Sequence, residues 1–295
     1  MIRKFNLFLF VLITFQLHTT LAANSCWTQV QSQIVEKDKQ RDSLYRQITR
    51  NASGIFDRQG SLFLEGQVNS RAIVLLHGYP SFPRHFGGLA KLLNEKYGYT
   101  IYAPLLSGLG SEAKVGNKVT LEDWRKDVED ALTLVRQCTH NVSIVAHSMG
   151  GGLAIDSVFN PIQNSVNSIA LICPMVKTQT TLGRILAAIM RTIGIRTVGQ
   201  ISTRLVKQVF RVVDNIQNYW DESPRNQIPT FLSVTMDDLV LKPDASYNFP
   251  MEKMNVVDTL IYPEGSKIGH NEIITPKNPY LENLAQRLDQ FFQKY

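Results

Sequence analysis

The run Val145-Ala146-His147-Ser148-Met149-Gly150-Gly151-Gly152 stands directly after an aliphatic stretch and directly before a helical pattern. A serine placed there sits on a sharp strand-to-helix turn, which forms only if small residues flank it two positions to either side. Ala146 and Gly150 meet that need. The turn lifts the hydroxyl above a sheet edge and aims the amino end of the following helix at the same point, where a developing negative charge is stabilised. Given a base to take its proton, Ser148 can attack an electrophilic carbonyl.

The elements that must hold this turn are readable from periodicity. Arg71 to His77 is a continuous aliphatic run, as expected of a strand buried on both faces. Similar runs recur at Gly60 to Gly66, Tyr99 to Pro104, Val142 to His147, Ser168 to Pro174, Thr230 to Thr235 and Thr259 to Tyr262. Helical patterns fall at Gly87 to Lys96, Leu121 to Gln137, Gly150 to Phe159 and Pro279 to Tyr295. Strands alternating with helices predict an α/β fold, a mostly parallel central sheet with helices on both faces, whose functional groups gather at the strand carboxyl ends. Ahead of the sheet, Trp27 to Arg50 reads as an amphipathic surface helix. From about 177 to 227 only helical patterns appear, and the apolar stripe Leu182, Ile185, Leu186, Ile189 and Ile193 reads as part of an inserted helical lid.

At this point the chain resembles the α/β-hydrolase family, whose partners follow the nucleophile in the order acid, then histidine. The resemblance implies an acid in the turn after the strand opened by Pro229, nine residues past that proline, which is Asp238; Asp237 is the alternative. One of the two is expected to be a turn-capping carboxylate. The base implied is His270, in Lys267-Ile268-Gly269-His270-Asn271-Glu272. An imidazole titrates near neutrality, so it can accept the Ser148 proton and return it to a leaving group, while the acid fixes its tautomer. His77-Gly78-Tyr79-Pro80 is similar to the family's HG loop; by that likeness the backbone amides of Tyr79 and Met149 form the oxyanion hole, each donor contributing about 3 kcal/mol. His77 itself reads as a structural hydrogen-bonding residue. Tyr102 to Gly110, followed by Asp123-Trp124 and Asp127-Val128, resembles monoacylglycerol lipases and carboxylesterases, although Leu109 stands where that subgroup carries a histidine.

Of the 295 residues 44% are hydrophobic and 19% charged, the usage of a folded protein with a sizeable core. Arg3 and Lys4 precede an apolar run from Phe5 to Leu17, and Ala22-Ala23 follow, the pattern of a signal peptide over residues 1–23 that leaves 24–295 as the exported domain, in periplasm or medium. The residues before Cys26 lack the leucine expected of a lipoprotein signal. Net charge is +6, or +4 without Arg3 and Lys4, too modest for a nucleic-acid footprint. Eight basic against three acidic residues put +5 within Lys177 to Gln227, a face suited to peripheral contact with anionic membranes. The three cysteines, Cys26, Cys138 and Cys173, allow at most one disulfide, and buried free thiols are the expectation. No zinc-ligand spacing occurs, and neither metal nor cofactor is called for.

Together these readings predict hydrolysis of carboxylic esters, acylglycerols or other lipid-like esters, through an acyl-enzyme. Serine rather than aspartate at position 148 speaks against the family's dehalogenase and epoxide-hydrolase chemistries. An aminopeptidase or thioesterase would share the same residues. A non-catalytic binding protein of this fold would be expected to have lost Ser148, Asp238 or His270.

Overall fold

The computed structural model describes residues 25–45, 60–67, 71–109, 116, 118–160, 166–178 and 203–295. Residues 1–23, read above as a signal peptide, residues 110–115 and the apolar stripe Leu182 to Ile193 lie outside them. Seven strands form one sheet: β1 (Leu62–Leu64), β2 (Ala72–Leu76), β3 (Thr100–Ala103), β4 (Val142–His147), β5 (Ser168–Ile172), β6 (Pro229–Thr235) and β7 (Asn255–Tyr262), in the order β1-β3-β2-β4-β5-β6-β7. Only β1 runs antiparallel to its neighbour. The helices are α1 (Ser25–Tyr45), α2 (Gly87–Glu95), α3 (Leu121–Arg136), α4 (Met149–Phe159), α5 (Thr203–Glu222), α6 (Pro243–Lys253) and α7 (Leu281–Lys294). Among the described residues no helix is long and apolar enough to cross a membrane.

Strand side chains alternate between two cores, as the two-residue pleat requires. Ala72, Val74 and Leu76 join Val142, Ile144 and Ala146 on one face, with Trp124 and Val128 of α3, Leu153 of α4 and Val212 and Ile216 of α5. Ile73, Leu75 and Val145 face the other way, onto Leu89 and Leu93 of α2 and Leu284, Leu288 and Phe292 of α7. The central strands β2, β4 and β5 are buried along their whole length, which is why they read as unbroken aliphatic runs. Helix α3 starts at a capping box, with Thr120 and Asp123 exchanging side-chain and backbone bonds.

Two elements depart from the sequence reading. Strand β7 begins at Asn255, four residues before the run expected there; it is a half-exposed edge strand, so only its end carries a continuous apolar signal. Helix α6 was not expected, because Pro250 lies inside it and its buried side is only Ala245, Ser246, Phe249 and Pro250.

The cysteine expectation is corrected. Cys26 and Cys138 form a disulfide across 112 residues, with Cα atoms 5.7 Å apart, and only Cys173 is a free buried thiol. Helix α1 lies antiparallel to α3: beyond the disulfide, Gln33 bonds Gln137, Lys37 pairs with Asp130, and Arg41 pairs with Asp127. Val30 and Ile34 complete its buried side. Nothing in the spacing of two cysteines announces an antiparallel helix pair.

Helix α5, within the 177–227 interval, packs on α3 and α4. Buried Asp156 of α4 accepts from Arg125 of α3 and from Asn215 and Tyr219 of α5, so one carboxylate binds three helices together. The guanidinium of Arg125 closes on it through two nitrogens, at 2.6 and 2.8 Å.

Candidate active site

Ser148 occupies the turn between β4 and α4 with φ 57° and ψ −123°, a left-handed conformation rare for a residue with a side chain. The turn is held from both sides: Ser148 N–H donates to the carbonyl of Ile172, and the Ser148 carbonyl accepts from Met175 and Gly152. Gly150 is required by close approach, since a Cβ there would lie 2.0 Å from the carbonyl oxygen of Leu76.

Strand β6 ends at Thr235, and the next turn delivers the two neighbouring carboxylates to different places. Asp238 is buried; its Oδ1 accepts the amides of Val240 and Leu241, both at 2.8 Å, and its Oδ2 lies 2.6 Å from His270 Nδ1. Asp237 instead accepts from Gly265 N–H, the Ser266 hydroxyl and Lys267 N–H, and these bonds hold its carboxyl below the usual carboxylate range. It therefore ties down the loop that leads to His270 and stands outside the hydrogen-bonded chain.

His270 Nε2 lies 2.8 Å from Ser148 Oγ. Because a carboxylate can only accept, Nδ1 carries the proton facing Asp238; in the neutral ring Nε2 is then an acceptor and the serine hydroxyl donates to it. Hydroxyl, imidazole and carboxylate thus form one line, with Ser148 and His270 each 5% exposed and Asp238 3% exposed.

Gly78 packs directly on the serine: a Cβ there would come within 2.9 Å of Ser148 Cβ and 3.2 Å of its Oγ. The Gly78 backbone therefore borders the hydroxyl, and Met149, the next residue after Ser148, opens α4. His77 Nδ1 donates to the Gly78 carbonyl at 3.0 Å, while Nε2 accepts from Leu106 N–H at 3.2 Å. The Nε2 bond needs the neutral ring, and burial pushes its pKa down to about 4.

In the sequence His147 reads only as the variable position beside the nucleophile, with no part in the site. Its Nε2 donates to the His270 carbonyl at 2.8 Å, and its ring lies 4.8 Å from that of His270. Burial, and then the nearby His270, hold its pKa well below the ordinary value. Adjacency to Ser148 was the one signal available. Cys173, at the end of β5, is also close: its sulfur, the Asp238 carboxylate and the His270 imidazole have potential ligand atoms within 4.8 Å of one another. Burial and the Asp238 charge push the thiol pKa up, away from the thiolate a metal takes, and His270 Nδ1 is already engaged by Asp238.

A parallel sheet with a strained serine between its fourth strand and a helix, and an acid and a histidine arriving from later strand ends, defines a class. Residues 73–260 match the alpha/beta hydrolase family, more than half of the chain, and the protein belongs to that family. A stretch of 83 residues is 30% identical to the thermostable monoacylglycerol lipase of Bacillus sp. (strain H-257), covering 28% of this chain and 33% of that protein. The match thus spans about a third of the relative's length. Two solved structures share the fold. A metagenome-derived lipolytic enzyme, from work on LipS and LipT, superposes with a TM-score of 0.63 at 19% identity over 82% of this chain and 100% of its own. A soluble variant of monoglyceride lipase from Saccharomyces cerevisiae gives 0.62 at 15% identity over 80% and 90%.

Proposed function

We propose that the protein is an exported serine hydrolase that cleaves carboxylic esters, of the acylglycerol or a similar lipid-like kind, through an acyl-enzyme intermediate. The observation that carries this reading is the unbroken line from Ser148 Oγ through His270 to Asp238, at 2.8 and 2.6 Å. In the proposed reaction His270 Nε2 takes the serine proton as Oγ attacks the ester carbonyl. Asp238 stabilises the resulting imidazolium without itself becoming protonated. The oxyanion rests on the amides of Tyr79 and Met149. His270 then protonates the departing alcohol, and a water activated by the same ring releases the acid.

The likeness to the Bacillus lipase supports acylglycerols as the substrate class. Export is supported by the Cys26–Cys138 disulfide, a bond that persists in oxidising compartments, together with the signal pattern over residues 1–23. Exposed Arg204, Lys207 and Arg211 follow one face of α5, which supports reading 177–227 as a basic lid segment that meets anionic lipid surfaces. Binding to anionic liposomes should weaken steeply with salt; salt-independent binding would remove that part of the reading.

The central test uses a fluorophosphonate probe and a panel of p-nitrophenyl esters of increasing acyl length, beside amide and thioester substrates. Labelling and ester turnover that vanish in Ser148→Ala are expected. Preference for the amide or the thioester would move the protein to a different hydrolase type, and absence of labelling in the wild type would leave a binding protein of hydrolase fold.

A further inference from the structure

We infer that Arg41, on helix α1 and outside the stretch that matches the family, is a positioning residue for the proposed oxyanion-binding loop. The inference rests on the ester-hydrolase reading above. The guanidinium of Arg41 reaches three partners on the main body: the Leu105 carbonyl, the Ser107 hydroxyl and the Asp127 carboxylate. Its side chain is 13% exposed and that of Asp127 is 5% exposed, so the pair is largely withdrawn from water. The opposite polar group of Leu105 is held from the same helix. Its N–H donates to Ser61 Oγ at 3.1 Å, and Asp38 accepts from both the hydroxyl and the amide of Ser61. Asp127 adds a bond from Ser107 N–H at 2.6 Å. Helix α1 and Asp127 thereby fix the backbone of the segment after β3.

That segment touches the site through one residue. Leu106, between the two anchored positions, donates its N–H to His77 Nε2, and His77 Nδ1 donates to the carbonyl of Gly78. The carbonyl of Gly78 and the N–H of Tyr79 belong to the same planar peptide unit, pointing in opposite directions. Whatever fixes that carbonyl also fixes the direction of the Tyr79 amide, the proposed oxyanion donor. An amide turned away from the oxyanion loses transition-state stabilisation while leaving substrate binding in place, because the donor is strongly engaged only when charge has developed. Without Arg41, the Leu105 carbonyl loses its charged donor and Asp127 its cation, and the support behind His77 relaxes.

The test compares three variants of helix α1. Arg41→Met removes the reach to the segment. Arg41→Lys keeps a charge opposite Asp127 and loses the forked reach to several partners. Lys37→Met breaks the ion pair to Asp130 on the same helix face and touches nothing near the segment. Each is assayed for ester turnover per active site, titrated with the fluorophosphonate so that unfolded protein is not counted. For Arg41→Met, kcat per site is expected to fall tenfold or more with KM within about twofold, and for Arg41→Lys several-fold; Lys37→Met should stay within twofold of wild type. The Lys variant carries the test if Arg41→Met does not accumulate as folded protein. Values of kcat per site within twofold of wild type for the folded Arg41 variants, or an equal loss in Lys37→Met, would overturn the inference. A wild-type protein that neither labels nor turns over esters would instead overturn the reading of function beneath it.

Discussion

The strand-end turns and helix α1 are held by opposite means. At the turns, short local segments impose geometry: Ser148 is wedged between β4 and α4, and Asp238 is fixed by amides two and three residues away. Helix α1 is attached almost wholly by distant partners, a disulfide spanning 112 residues and the pairs Lys37–Asp130 and Arg41–Asp127. The difference teaches that chemistry can be written into a few contiguous residues while the support behind it is drawn from anywhere in the chain. Local segments should respond to substitution in rate, the covalent attachment of α1 chiefly in stability, and Arg41 alone among the remote contacts in rate as well.

The largest expected effect is on the local side. Ser148→Ala should lower kcat by about 10⁴-fold or more, with an unchanged thermal midpoint or a higher one as the strained side chain is trimmed; kinetics beside calorimetry checks both. Next come the adjacent carboxylates. Asp238→Asn should cost about 10³–10⁴-fold in kcat by upsetting the imidazole tautomer, whereas Asp237→Asn, which loosens only the 265–267 loop, should stay within tenfold. Equal losses at the two positions would erase the contrast between them.

On the remote side, Cys138→Ser opens a 112-residue covalent loop whose chain-entropy value is about 5 kcal/mol. Urea unfolding should register much of that loss, and kcat per titrated site should stay close to wild type because Arg41 retains its partners. The smallest effect concerns acid. His77 titrates at about 4 in the folded protein against an ordinary 6.5, so the unfolded chain binds more protons between those values. Stability should therefore be full above about pH 6.5 and decline as pH falls toward 4, by about 2 kcal/mol at pH 5 from His77 alone. The lowered pKa of buried His147 acts in the same direction. An unchanged urea midpoint between pH 7 and pH 5 would contradict this.

What could be read from the sequence follows the same division. Residues 142–147 announce a central strand because both faces are buried, and Ser148 announces itself because the small neighbours its turn demands are contiguous with it. The parallel order of β2, β4, β5 and β6 follows from strands alternating with helices. The chain alone left Asp237 and Asp238 as alternatives, since the choice between them depends on where residues 265–270 return in space. The disulfide, helix α6 and the part played by His147 were not legible: each depends on contacts between segments whose periodicity carries no mark of the partner.

Asp156 gives helix α5 a mechanical character of its own. With Arg125, Asn215 and Tyr219 converging on one carboxylate, α5 is riveted to the frame and has little freedom to swing on its own. A pull on the exposed side of α5 would therefore be carried through α3 and α4 into the sheet. Loosening that rivet would free α5 from the frame before it altered any step of bond cleavage.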